Sequence, residues 1–397
     1  MELPSDSLVA ICGIPAGANL DDPVAAVEAA LVDPLDFPAL VEATVPGDHV
    51  VLAVERGVPH TSAVVAGIVK TLTGGRVSAE NIEIVLAPGY ALLDDVTEYL
   101  PTDLAAKIAI TVHDPKDSSQ LAYLAAAKNG EPIYMSRAIV DADFAIPVGC
   151  VRLRGSLGNL GIPGGVFPTF ADVQTQERLV HSSHLQDATQ LERQRQEASE
   201  SAWLLGARFM VQVIPGAGAN LLHVLCGDVD SVVERAKALS SSVWDCQVPR
   251  RAELLVATLE GDIEQHSWEN LGKTLHAASP LVEDGGAIVV CSDLSARPGL
   301  ALSRMIGADD LESAQRAITA ESSEDRLAAA QLISTLRKFR VYALSQIDHA
   351  TLEDLWIAPV VNAKEVVNLC IRSKSFTVLQ NSQYAVPTLS NHSMEAS

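Results

Sequence analysis

The sequence is poor in aromatic residues, which make up only 4% of its 397 positions, and poor in basic ones: 28 Lys and Arg stand against 50 Asp and Glu, a formal charge of −22. That charge excludes nucleic acid and anionic membrane surfaces as partners, because both need a compensating basic face. An acidic chain still binds a small anionic molecule through a few local arginines. No apolar run reaches the roughly 18 residues of a membrane span, and MELPSDSL at the N-terminus lacks the basic-then-apolar pattern of a secretory signal. The six cysteines (Cys12, Cys150, Cys226, Cys246, Cys291, Cys370) show no C-x-x-C spacing, which argues against a zinc site or a disulfide framework and for free thiols in the cytoplasm. One further absence is local: no lysine occurs between Lys128 and Lys237.

What is present reads as an α/β protein. Apolar strand-like runs alternate with amphipathic segments, the pattern of mostly parallel sheets covered by helices. Strands are expected at His49 to Val54, Ile82 to Ala87, Ile108 to His113, Ala142 to Val148, Met210 to Ile214, Glu253 to Thr258, Ala287 to Ser292, Val341 to Leu344 and Thr377 to Leu379. Helical periodicity covers Pro23 to Val32, Thr61 to Thr71, Ala171 to Gln196, Val229 to Ser240 and Trp268 to Ala278. The pattern breaks at SSSVWDCQVPR, and a fresh αβ run follows, so two domains are expected, at residues 1–246 and 247–397.

The densest punctuation is GCVRLRGSLGNLGIPGGVFP, from Gly149 to Pro168, with six of the 25 glycines in twenty residues after an apolar strand. Such a loop lets another group approach the backbone closely. Arg152, Arg154 and the backbone N–H groups around Gly155, Gly158 and Gly161 form a candidate cradle for an anion or a phosphate. The other reading is a tight crossover with its arginines paired to surface carboxylates. Arg56, in AVERGVP, directly follows a strand, where a guanidinium can hold a carboxylate through two parallel hydrogen bonds. Glu55 beside it can equally serve to neutralise that charge. His181 and His184, in LVHSSH, share one helical face at a spacing that can chelate a metal.

These stretches, with IEIVLAPGY, DADFAIPVG, CGDVDSVVERAKAL, IEQHSWENLGKTL and EDGGAIVVCSD in the same order, resemble the nickel-dependent lactate racemase family from about residue 8 to about residue 387. The resemblance implies two α/β domains with an interdomain cleft, isomerase activity on a 2-hydroxy acid, and a nickel-pincer nucleotide. It assigns substrate contact to Arg56, and to Gln265 and Lys273 from the second domain, and it puts His181 within one residue of the nickel ligand. The departures are as informative. Ala91 stands where the family's first catalytic histidine closes the turn after Tyr90, and no histidine lies between His113 and His181 to act as the second. Racemisation needs a base on each face of the carbon. The lysine that tethers the cofactor has no counterpart. The function expected is therefore that of a divergent member that binds a small 2-hydroxy acid or related anion in the cleft without the standard nickel-pincer racemisation. The alternative is a non-catalytic scaffold or ligand-sensing relative.

Overall fold

The computed structural model describes residues 4–90, 94–128, 130–151, 162–179, 188–218, 220–319, 323 and 325–390. In chain order its strands are β1 (Leu8–Cys12), β2 (Val50–Val54), β3 (Ile82–Leu86), β4 (Ala109–Val112), β5 (Leu121–Ala126), β6 (Pro132–Ser136), β7 (Phe144–Cys150), β8 (Phe209–Pro215), β9 (Leu221–Asp228), β10 (Asp245–Val248), β11 (Ala252–Thr258), β12 (Val282–Cys291), β13 (Arg340–Leu344), β14 (Ala358–Pro359), β15 (Phe376–Leu379) and β16 (Val386–Leu389). All nine expected strands are among them. The helical pattern over Ala171 to Gln196 resolves into described helices at Val173–Leu179 and Ala188–Leu204, with residues 180–187 outside the described set.

The chain forms two compact units. One comprises Gly17–Arg152 and Asn159–Ser240, and the other contains Met1–Ala16 and Ser241–Ser397. The division therefore is not the single cut expected after residue 246. The reason is β1, which pairs in parallel with β15, setting Cys12 opposite Leu379, and so carries the start of the chain into the sheet built by its end.

The first unit holds a six-stranded sheet in the order β4-β3-β2-β7-β8-β9, parallel except for the β8–β9 pair. A separate antiparallel pair, β5–β6, lies in the same unit. All five residues of β2 are buried. Val50, Leu52 and Val54 pack into one apolar cluster, and Val51 and Ala53 pack into another with Met135, Phe167 and Phe170. A strand apolar on both faces is what a parallel sheet covered by helices on both sides requires. The helix Thr61–Gly74, which returns from β2 to β3, contributes Val64, Val65, Ile68, Val69 and Leu72 to the first cluster.

The second unit holds a parallel sheet in the order β1-β15-β11-β12-β13-β14, and β10 pairs in parallel with β16 beside it. Leu254, Val256, Ala287, Val289, Phe376 and Val378 fill one of its faces against Val366 and Cys370 of the helix Ala363–Arg372. Among the described residues no helix is long and apolar enough to cross a membrane.

Candidate functional site

In open α/β sheets ligands bind outside the carboxyl ends of the strands, where the strand order reverses. The order β4-β3-β2-β7-β8 reverses between β2 and β7. Just past the carboxyl end of β2 come Glu55 and Arg56. The strand ends are held in register by Glu55 N–H donating to Val148 O at 2.9 Å and Ala87 N–H donating to Val54 O at 2.9 Å.

Glu55 is only 4% exposed, and its Oε2 accepts the backbone N–H of Cys150 at 3.4 Å. Gly149 and Gly165 close around the same oxygen: a Cβ on either would lie 2.7 or 2.8 Å from it. The Gln212 side chain, 2% exposed on β8, comes to the same spot, its Nε2 2.8 Å from where a Gly149 methyl would sit. Two residues of the glycine-rich segment thus lack side chains because a buried carboxylate occupies that space. Glu55 turns inward, while Arg56, the next residue, is half-buried. One strand end thus turns a carboxyl group inward and places a guanidinium beside it, and a guanidinium can hold an anion through charge-assisted hydrogen bonds.

The loop then runs to the helix Thr61–Gly74 through His60, whose backbone is left-handed at φ 51°. Thr61 Oγ1 donates to Val58 O at 2.6 Å and lies 3.1 Å from the Tyr90 hydroxyl. Tyr90 therefore packs beside the turn and braces the start of the helix. No side chain of His60 caps the start of that helix.

His113, directly after β4, is 4% exposed, with Nε2 3.0 Å from Ala171 O and its ring 5.9 Å from that of Phe170. A carbonyl only accepts, so the proton sits on Nε2 in the neutral ring. Burial holds His113 below its ordinary value, opposed by the Ala171 carbonyl and by Asp114 and Asp172. The unfolded chain takes up a proton near pH 6.5 and the folded chain does not until lower pH, so acidification favours unfolding. Stability is expected to fall as pH drops from about 6.5 toward 5, above the range where carboxylates titrate. His113→Gln should flatten that part of a urea-midpoint profile; an unchanged slope would remove His113 as its source.

The reversal point of the other sheet lies between β11 and β15, and the chain fills it with its own side chains. Gln265 is 2% exposed; its Oε1 accepts from Tyr384 Oη at 2.7 Å and from Asn270 Nδ2 at 3.4 Å. Thr274 Oγ1 and Ser382 Oγ are 2.7 Å apart, and Gln383 Nε2 donates to Glu260 O at 2.6 Å. Lys273 Nζ pairs with Glu269 at 2.8 Å and donates to Asn270 Oδ1 at 3.1 Å. His266 Nδ1 accepts the Asp293 N–H at 3.1 Å, and the Trp268 indole donates to Ala296 O at 2.8 Å. Gln265 and Lys273 are thus engaged in fixing the start of the helix Trp268–Ala278, whereas the resemblance assigns them to substrate.

Of the residues singled out in the sequence, Arg152, Arg154, Gly155, Gly158, Gly161, His181 and His184 lie outside the described residues, as does Ala91. Gln212 and Gly165 were not singled out, and Glu55 was read only as a neutraliser of Arg56. A signal for Gln212 was in view: one amide inside the apolar run FMVQVIP, where a buried polar group needs a partner. Among the described residues no three His, Cys, Asp or Glu side chains cluster as metal ligands.

Residues 1–192 match the family described as the lactate racemase N-terminal domain. Among solved structures, the chain is similar to the lactate racemase apoprotein of Thermoanaerobacterium thermosaccharolyticum, with a TM-score of 0.77 and 16% identity over 98% of this chain and 97% of that one. It is also similar to a structural-genomics protein of Thermotoga maritima, with a TM-score of 0.67 and 15% identity over 94% of this chain and 100% of that one. At these identities the likeness establishes the fold. No curated protein matches the sequence.

Proposed function

Because the chain is a lactate racemase-like protein, with residues 1–192 matching that family's N-terminal domain, we propose that it binds a small 2-hydroxy acid or a related small carboxylate at the carboxyl end of β2. Arg56 grips the carboxylate through its planar fork, and the first turn of the helix Thr61–Gly74 adds N–H donors. The observation that carries this reading is the position of Arg56 at the reversal point of its sheet, beside a buried carboxylate for which two glycines make room. The anion is the partner; the −22 charge disfavours nucleic acid and membrane, and the six free thiols fit a cytoplasmic protein.

The family's tethered cofactor does not fit the residues present. The lysines flanking the lysine-free stretch are both at the surface: Lys128 is ion-paired with Glu200 at 3.0 Å, and Lys237 is exposed. Arg56 binds the acid without the nickel-pincer nucleotide. Ligand sensing without turnover is the second reading, favoured by that missing anchor and by the internal engagement of Gln265 and Lys273.

Incubation with D- or L-lactate in D2O, alongside calorimetric titration of the same acids, separates these readings. Binding with no deuterium at C2 is the expected result. Deuterium incorporation would show racemase chemistry on other bases, and absence of binding by every small 2-hydroxy acid tried would remove the carboxylate site.

A further inference from the structure

The strands β2, β7 and β8 run parallel, so their amino ends lie together, at the opposite end of the sheet from Arg56. A cavity of about 340 Å³ opens there, within the first unit. Its apolar wall is a packed group of three phenylalanines. The Phe209 ring of β8 stands 5.2 Å from Phe37 and 6.0 Å from Phe144 of β7, centre to centre, and Phe37 and Phe144 are 6.4 Å apart. Phe209 is fully buried, whereas Phe37 and Phe144 are half-buried and keep part of their ring surface accessible. The same cavity is lined by two exposed charges of opposite sign, Asp143 just before β7 and Arg208 just before β8.

Each wall is fixed by the protein's own hydrogen bonds. Leu35 N–H donates to Cys226 O and Asp228 N–H donates to Leu35 O, both at 2.8 Å, which pins the loop bearing Phe37 to β9. Ser231 Oγ donates to Asp36 Oδ2 at 2.7 Å and holds the same loop. His49 N–H donates to Asp143 Oδ2 at 2.9 Å while Asp143 N–H donates to His49 O at 3.0 Å, so one carboxylate oxygen is anchored and the other remains an acceptor. Gly206, at φ +74°, donates to Trp203 O at 3.0 Å and turns the chain from the helix Ala188–Leu204 toward Arg208 and β8. Among the described residues, Arg208 is in no ion pair, with Asp143 or with any other carboxylate. Two opposite charges thus border one opening without neutralising each other.

We infer that this cavity is a second ligand site, which binds a free α-amino acid with an aromatic side chain. Arg208 takes the carboxylate through its planar fork, Asp143 takes the ammonium group, and the phenylalanine rings take the side chain. The choice of ligand follows from the paired charges. A simple acid meets the Asp143 carboxylate as a like charge and a simple amine meets the Arg208 guanidinium as one, whereas a zwitterion satisfies both. The volume falls at the lower end of the roughly 300–1,000 Å³ of small-molecule sites and gives room for one such molecule. The site is separate from that of Arg56, and the two differ in the group they accept at C2: hydroxyl at the carboxyl end of β2, ammonium at the amino ends of β7 and β8.

The test is calorimetric titration of the full-length protein with L-phenylalanine, which should show one saturable site per chain. In competition, 3-phenylpropionate and 2-phenylethylamine, each carrying only one of the two charges, should displace it at least about tenfold less effectively than L-phenylalanine itself. Lactate should not displace it. Asp143→Asn keeps an acceptor for His49 N–H but removes the charge, and Arg208→Gln removes the guanidinium; each should weaken L-phenylalanine binding roughly tenfold. Both positions are exposed, and circular dichroism establishes that the variants are folded. Absence of saturable binding at millimolar L-phenylalanine, affinity unchanged in both variants, or equal displacement by the singly charged analogues would each overturn the inference. Displacement by lactate would also overturn it, by putting the amino acid at Arg56 instead.

Discussion

Replacing Gly13 with alanine is expected to destabilise the second unit by on the order of 4 kcal/mol, at the upper end of what single substitutions do. Gly13 has φ +79°, and a Cβ there would sit 1.7 Å from Gln380 O and 2.7 Å from its carbonyl carbon. The obstacle is backbone, and it is pinned: Gln380 N–H donates to Cys12 O at 2.8 Å, and Asn381 Nδ2 donates to Gly13 O at 3.1 Å. Relief therefore requires β1 to peel from β15. Gly285→Ala in the same unit is the control, with φ +76° and no atom within 4 Å of the added methyl. It carries only the left-handed backbone strain, about 1 kcal/mol. Urea unfolding followed by tryptophan fluorescence compares the two. Equal losses for both variants would mean that β1 is not docked where the structure puts it.

Arg56→Ala is expected to weaken binding of a small 2-hydroxy acid by roughly 10- to 100-fold, the loss of a charge-assisted bidentate contact of about 1.5–3 kcal/mol. Arg56→Lys should recover part of the affinity, since it restores the charge but not the planar fork. Calorimetric titration of the three proteins, with circular dichroism to establish that each is folded, reads this out. Unchanged affinity in Arg56→Ala would remove the carboxylate grip, and full recovery by lysine would reduce it to a simple charge effect.

Much of the fold was legible because it is local. VVLAV and IEIVL announce strands covered on both faces, and the nine strands expected from such runs are all present. The position of Arg56 after VVLAV was legible for the same reason. What escaped was non-local. LVAIC at residues 8–12 is a short apolar run whose partner, Phe376–Leu379, lies at the other end of the chain, and only that pairing makes it a strand. The same holds for β10 and β16, four residues each, which form a two-stranded parallel pair across more than a hundred residues of sequence. Gln265 and Lys273 resemble substrate contacts when their neighbours in sequence are considered. Their engagement depends in part on Tyr384, more than a hundred residues away, whose hydroxyl closes the knot around Gln265. Glu55 beside Arg56 reads in the sequence as a counter-charge that neutralises it. Its inward turn is visible only with Gly149 and Gly165 of the glycine-rich segment and Gln212 of β8 around its carboxylate. The glycine richness of that segment was the trace of this packing in the sequence.

Carboxylate binding without a tethered nickel cofactor is tested most directly by native mass spectrometry of the protein purified from cells that make the pincer nucleotide, with and without added lactate. The expected spectrum shows the bare polypeptide mass, shifted by one molecule of acid when lactate is present. A mass increase matching the nickel-pincer nucleotide would contradict it and restore the family's cofactor chemistry to this chain.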